Sequence, residues 1–389
     1  MSLDARLLGM TAALAVIWIA LHVLSDGVFL SARNLYNLAV QTSVVGVMAT
    51  GMVLVIVARH IDLSVGSVLG VTGMLVAWIQ VEVLPGGVVW NPWASVVFGL
   101  AIGAVIGAWQ GWWVAYRGVP AFVVTLAGLL IFRGAAYLVT DGRTVAPLEP
   151  AFQVLGGGLH GSIGSTWSWI LGGVAMVVVG GIGWHSRAGR REHGLPMRPI
   201  VVDAGVVALW CAFIVAFVGV MNAATRPRTD IPRGVPVPVL ILLTVGALMA
   251  ALARVTRFGR HVFALGGSPE AAALAGIDVR RTTLLVFVTM GLLAGIAGVV
   301  TAARLGAGTS SMGTLAELSV IAAAVLGGTS LSGGAGSVGG ALLGALLMQS
   351  LENGMVLLGA SSALRQVSIG LVLIVAVWVD TRHRSRHSR

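Results

Sequence analysis

The chain has 389 residues, 57% of them hydrophobic and only 10% charged. Soluble domains carry about a quarter charged residues, so a soluble enzyme and a free nucleic-acid binder are both excluded. The net charge is +10, and every one of the 24 basic side chains is Arg. A P-loop needs a Lys to reach nucleotide phosphates, and a Schiff-base enzyme needs one for its nucleophile. A chain without Lys does neither, so any ATP hydrolysis that drives it, with its Mg, belongs to a partner, and no cofactor is assigned to this chain.

Arg6 and the apolar run Leu7 to Leu24 open the chain like a signal peptide. No small-residue cleavage pattern follows, so the run reads as a retained first span. Apolar tracts follow at about 37–58, 63–80, 94–116, 120–139, 168–184, 200–220, 237–253, 282–303, 315–327, 338–358 and 364–380. Each is near the roughly 20 residues a membrane helix needs. The expectation is an all-α polytopic membrane protein of about twelve segments, with 1–389 as one transmembrane domain.

Within these tracts, Gly99, Gly103, Gly107 and Gly111 recur every four residues, as do Gly336, Gly340 and Gly344. That spacing places glycines on one helix face and lets a neighbouring backbone approach. Packing within the subunit is one reading and a subunit interface the other. Trp109, Trp112 and Trp113 fit an interfacial aromatic belt, with sugar stacking as the alternative. Cys211 stands alone in an apolar tract, where it packs as a small hydrophobe.

Basic residues gather on the cytoplasmic side of membrane proteins. With the N-terminus inside, Arg59, Arg117, Arg187, Arg190, Arg191, Arg198, the 254–281 loop and the basic tail 381–389 fall inside. The outer side holds Arg33, Arg143, Arg226, Arg228, Arg233, Arg304 and Arg365, and Arg133 falls within a span. Both termini are therefore expected in the cytoplasm.

The inner loop contains a short helix with both ends marked. Ser268 suits the N-cap, Pro269 the first helical position, and Glu270 the positive end of the helix dipole. Ala271, Ala272, Ala273, Leu274 and Ala275 favour helix, and Gly276 suits the left-handed residue that ends it. Two turns are marginal alone in water, so this helix either docks on a partner or merely connects two spans.

The segment from Leu315 to Leu326 is short for a crossing and runs into Gly327-Gly328-Thr329-Ser330-Leu331-Ser332-Gly333-Gly334. Either the span is broken and lines a pathway, or the Gly-rich piece is a cytoplasmic turn. Polar groups inside spans are costly. They are Glu317, Glu352 and Arg133, with Gln41, Gln110, Gln349, Asn353 and Gln366. Gln349, Glu352 and Asn353 share a helix face at i, i+3 and i+4. The face lines a polar pathway or glues two helices, and Glu317 and Gln41 are further pathway candidates.

Several motifs carry no chemistry here. Gly334-Ala335-Gly336-Ser337-Val338-Gly339 fits the dinucleotide pattern, but that pattern has meaning only between a strand and a helix. The eight His are scattered, and none pairs with a carboxylate at metal-ligand spacing. No nucleophile and base form a catalytic pair, so neither a metal site nor a catalytic residue is assigned.

The inner loop Gly266-Gly267-Ser268-Pro269-Glu270-Ala271-Ala272-Ala273-Leu274-Ala275-Gly276-Ile277 resembles the coupling segment of permeases of bacterial ABC sugar importers. The branch is the ribose/xylose/galactose type. Arg59-His60-Ile61-Asp62-Leu63-Ser64-Val65-Gly66-Ser67 and Pro120-Ala121-Phe122-Val123-Val124-Thr125-Leu126 resemble two of its blocks. Gly234-Val235-Pro236-Val237-Pro238, Arg304-Leu305-Gly306-Ala307-Gly308 and Leu351-Glu352-Asn353-Gly354-Met355 resemble the D-xylose type most. The loop and spans around 185–235 are additional to the shorter ribose-type permeases. The resemblance implies a homodimer in the bacterial plasma membrane, and a cytoplasmic ATPase docked on Ser268 to Gly276. It also implies an extracytoplasmic sugar-binding protein and D-xylose as cargo, with ribose or another monosaccharide as the alternative. The residues by themselves also leave open an ion-coupled secondary transporter that acts alone through a buried carboxylate such as Glu352.

Overall fold

The computed structural model describes residues 5–84, 86–158, 161–194, 199–226 and 228–385. His160, Arg198 and the end of the basic tail, 386–389, lie outside the described residues. The helices in chain order are α1 (Ala5–Leu24), α2 (Ala32–Val57), α3 (Val65–Trp78), α4 (Asn91–Arg117), α5 (Ala121–Leu138) and α6 (Pro150–Gln153). Then come α7 (Gly164–Glu192), α8 (Ile200–Ala223), α9 (Val237–Val255), α10 (Arg257–Gly267) and α11 (Pro269–Leu274). The chain ends with α12 (Val279–Leu305), α13 (Ala316–Leu326), α14 (Val338–Leu357) and α15 (Ser362–Ser385). Among the described residues 9 helices are long and apolar enough to cross a membrane, and Gly9–Leu24, Ala316–Leu326 and Ser362–Val375 are shorter apolar helices. Together they match the expected twelve segments.

The core is built around α2, α3 and α12. Met48, Met52, Val53 and Leu54 of α2 are fully buried, as are Met74 of α3 and Val286 and Met290 of α12. The α4 ladder explains how α12 packs so closely. A Cβ on Gly107 would run into the Phe287 carbonyl, and one on Gly291 into the Gly103 carbonyl. Only glycine permits backbones at this separation. The second ladder is shorter than its spacing implies. Gly336 precedes the helix, because Ser337 is the N-cap of α14 and accepts from the Gly340 N–H at 3.3 Å. Gly340 and Gly344 do face a partner, the carbonyls of Gly327 and Ala323 on α13 and its end.

The boundary at 185 falls inside α7, so Arg187, Arg190 and Arg191 belong to a helix and not to a loop. α7 and α8 form a hairpin at the side of the bundle, with 11% of each apolar window buried. An Arg187–Asp203 ion pair ties its two helices.

The tenth segment is one short uninterrupted helix, α13, and the Gly-rich residues 327–337 after it are not helical. Residues 306–315 have no helix and run antiparallel along α3: Gly308 pairs with Val145 in an isolated bridge, and Gly313 lies on Gly66. Arg133 holds this run of turns, its Nη1 donating to the Met312 carbonyl at 2.8 Å. The short helix α13 starts only after Leu315, whose φ is 62°. Irregular backbone at membrane depth survives where protein satisfies it, and here a half-buried guanidinium and the face of α3 do so.

Candidate functional site

Two features carry chemistry, one at a helix end and one inside the bundle. At the helix end, Ser268 accepts from the Ala271 N–H at 3.2 Å, and its hydroxyl donates to Glu270 Oε2 at 3.1 Å. Ser268 therefore caps the helix. Gly276, with φ 81°, ends it. The Ile277 N–H bonds the Ala272 carbonyl and the Gly276 N–H bonds the Ala273 carbonyl, both at 3.0 Å, which is the Schellman pattern. Pro269 opens the helix, and Ala272 is its buried residue. Glu270 and Ala271 are exposed, and Leu274 is 91% exposed. The Glu270 carboxyl is held below the ordinary carboxylate range, first by its own backbone N–H and then by the Ser268 hydroxyl. A depressed value means that its charge is present at neutral pH and is lost only as the pH falls through that lowered value.

The sequence reading treats 254–267 as loop, but 257–267 is the helix α10. Val262 and Leu265 are its buried face, with Thr256 as N-cap to Gly259. A signal was available, since Val262, Leu265 and Gly266 sit at i, i+3 and i+4 between Arg residues. Arg59 was read only as a topological anchor. Its Nε donates to the Gly266 carbonyl at 2.8 Å and its Nη2 to the Gly267 carbonyl at 2.6 Å, a charged cap on the end of α10. The Gly334 N–H donates to the Val57 carbonyl at 3.0 Å. A Cβ on Gly266 would strike that same carbonyl. The end of α2, the end of α10 and the loop after α13 thus meet backbone to backbone.

Inside the bundle, a cavity of about 400 Å³ lies between α2, α3, α12, α13, α14 and α15. Its polar wall is Gln41, Thr301, Arg304, Thr314, Ser319, Gln349, Glu352, Arg365 and Gln366. Gln349 Nε2 donates to Glu352 Oε2 at 2.8 Å. Residues 313–316, the turn that leads into α13 and its first residue, form another side of it. The mix of two guanidiniums, one carboxylate and several amides and hydroxyls offers donors and acceptors to a small polar molecule, at a size typical of ligand cavities.

The structure divides the predicted pathway residues. Gln41, Gln349 and Glu352 line the cavity. Asn353 faces elsewhere, its Oδ1 accepting from Asn34 Nδ2 at 2.9 Å, so the polar face both lines a cavity and fastens α14 to α2. Glu317 is 6% exposed, lies against Gly66 of α3, and is not among the lining residues. Arg304 and Arg365, read as outer-side anchors, line the cavity. Trp109, Trp112 and Trp113 do not line this cavity; Trp112 carries Arg117 over its ring at 4.4 Å.

The family model described as the permease component of branched-chain amino acid transport systems matches residues 34–377. The chain belongs to this family. Like its fellow members it is a transport permease, and its spans make it a multi-pass membrane protein. Among curated members, the xylose transport system permease protein of Haemophilus influenzae is 42% identical over 97% of this chain and 96% of its own length. The corresponding protein of Escherichia coli is 40% identical over 99% of this chain and 94% of its own. The ribose import permease protein of Escherichia coli is 35% identical over 91% of this chain and 87% of its own. No solved structure gives a significant match.

Proposed function

We propose that this permease is the membrane subunit of an ATP-driven ABC importer that carries D-xylose into the bacterial cytoplasm. The observation that carries the reading is the near end-to-end similarity, at 42% identity, to a xylose transport permease. Two copies form the pathway in the plasma membrane, surrounded by lipid, with both termini inside. A cytoplasmic ATPase, which supplies ATP and Mg chemistry, docks on Ser268, Pro269, Glu270, Ala271, Ala272, Leu274 and Gly276. An extracytoplasmic binding protein delivers the sugar. Gln41, Gln349 and Glu352 meet it in the cavity.

The exposed, doubly capped helix α11 suits this role because a rigid element transmits displacement without unwinding. The junction at Arg59, Gly266 and Gly334 leads from α11 to the loop after α13, and the other end of α13 borders the cavity. The test is xylose uptake into proteoliposomes that hold this chain, its ATPase and its binding protein. ATP-dependent uptake of xylose in preference to ribose supports the assignment. Preference for ribose moves it to the ribose type. Uptake by this chain alone under a proton or sodium gradient overturns it.

A further inference from the structure

The α2 helix is 26 residues long, roughly 39 Å at 1.5 Å per residue. The end opposite Arg59 holds a second cavity, of about 370 Å³, lined by Arg33, Thr225, Arg226, Arg228, Thr229, Asp230 and Arg233. Residues 224–226 and 231–233 pair backbone to backbone there. The Arg226 N–H bonds the Ile231 carbonyl at 3.0 Å, and the Arg233 N–H bonds the Ala224 carbonyl at 2.9 Å. The pairing is fixed to α7 by the Gly164 N–H on the Arg233 carbonyl at 3.0 Å.

Four guanidinium groups thus face one carboxylate. Arg33 is the second residue of α2, at the positive end of the helix dipole, where a cation is unfavourable. Arg233 lies over the ring of the buried Tyr36, 4.8 Å from its centroid. Nε of Arg226 and Nε of Arg233 are buried and have no hydrogen-bond partner among the described residues. A buried donor without a partner is costly, and like charges gathered in one cavity repel. An anion would relieve both. Guanidinium forks match an oxyanion two oxygens at a time.

We propose that this pocket binds a phosphate-class oxyanion, either the free ion or the phosphate of an anionic lipid headgroup. The two sources share one chemistry. The inference is independent of the cargo and of the ATPase.

The test uses the full chain purified in neutral detergent. Inorganic phosphate is titrated by calorimetry, and phosphatidylglycerol retained against phosphatidylcholine is measured by native mass spectrometry. The variants are Arg226→Gln/Arg233→Gln and, as a control that removes equal charge at the other end of the molecule, Arg190→Gln/Arg191→Gln. The first should weaken binding by at least about tenfold and the control should leave it unchanged. Binding of phosphate with no lipid retained identifies the free ion, and selective retention of phosphatidylglycerol identifies a headgroup. Asp230→Asn should tighten binding, a gain that misfolding does not imitate. Failure of wild type to bind either probe, or equal loss in both double variants, overturns the proposal.

Discussion

Arg59 places a guanidinium on two carbonyls, those of Gly266 and Gly267, 207 and 208 residues away in sequence. It does so from a left-handed backbone, φ 65°, a conformation non-glycine residues seldom adopt. Hydrogen bonds to charged groups contribute about 1.5–3 kcal/mol each, less where the group is partly in water, as here. Arg59→Met should therefore loosen the end of α10 by about 1–2 kcal/mol, and amide exchange over 257–276 should speed up about 5- to 30-fold while exchange in α4 stays unchanged. Arg59→Lys should recover part of the protection, because an ammonium reaches one carbonyl well but not two in a fork. Unchanged exchange in Arg59→Met would remove the strut from the account. Ser268, Pro269, Glu270 and Gly276 were legible because capping chemistry is local and each residue type has one job there. Arg59 was not, because its partners become neighbours only after α2 and α10 have packed.

At the scale of elements, the four-residue glycine spacing told which face of α4 would be approached but not by what. The structure supplies α12 as the partner, with Gly291 and Gly295 completing a two-sided seam. It also shows the limit of spacing as evidence. Gly336 fits the period of Gly340 and Gly344, yet lies before the N-cap Ser337, since a period says nothing about where a helix begins. The close approach makes a sharp contrast between positions. Gly107→Ala drives a methyl into the Phe287 carbonyl, whereas a Cβ on Gly173 of α7 meets nothing within 4 Å. Overpacking against backbone costs about 1–3 kcal/mol, so Gly107→Ala should lower the melting temperature in detergent. Gly173→Ala should leave it unchanged or raise it slightly, because alanine is the better helix former by about 1 kcal/mol. Equal melting temperatures for the two variants would contradict the seam.

Across the whole molecule, the cavity is made by six helices that are distant in sequence, and that decides what could be read beforehand. Gln41, Gln349 and Glu352 stood out because a polar group within an apolar tract is conspicuous by itself. Arg304 and Arg365 did not, because a basic residue near a span end is equally expected of a topological anchor. The face carrying Gln349, Glu352 and Asn353 has two readings, pathway and glue; in the structure Glu352 lines the cavity and Asn353 bonds Asn34. Two variants separate these roles. Glu352→Gln keeps the shape and an acceptor for Gln349 but removes the charge that would hold a sugar hydroxyl. Losing one charged hydrogen bond of about 1.5 kcal/mol corresponds to roughly tenfold in rate. Uptake by the assembled importer should fall by about that factor, with basal ATPase activity and yield unchanged. Asn353→Leu leaves Asn34 Nδ2 with the Phe29 carbonyl alone, at 2.8 Å. It should lower thermal stability by about 1–3 kcal/mol, while uptake per folded complex stays near wild type. Should Asn353→Leu abolish uptake in stable protein and Glu352→Gln leave it intact, the sugar's route runs along the α2–α14 seam instead of through the cavity.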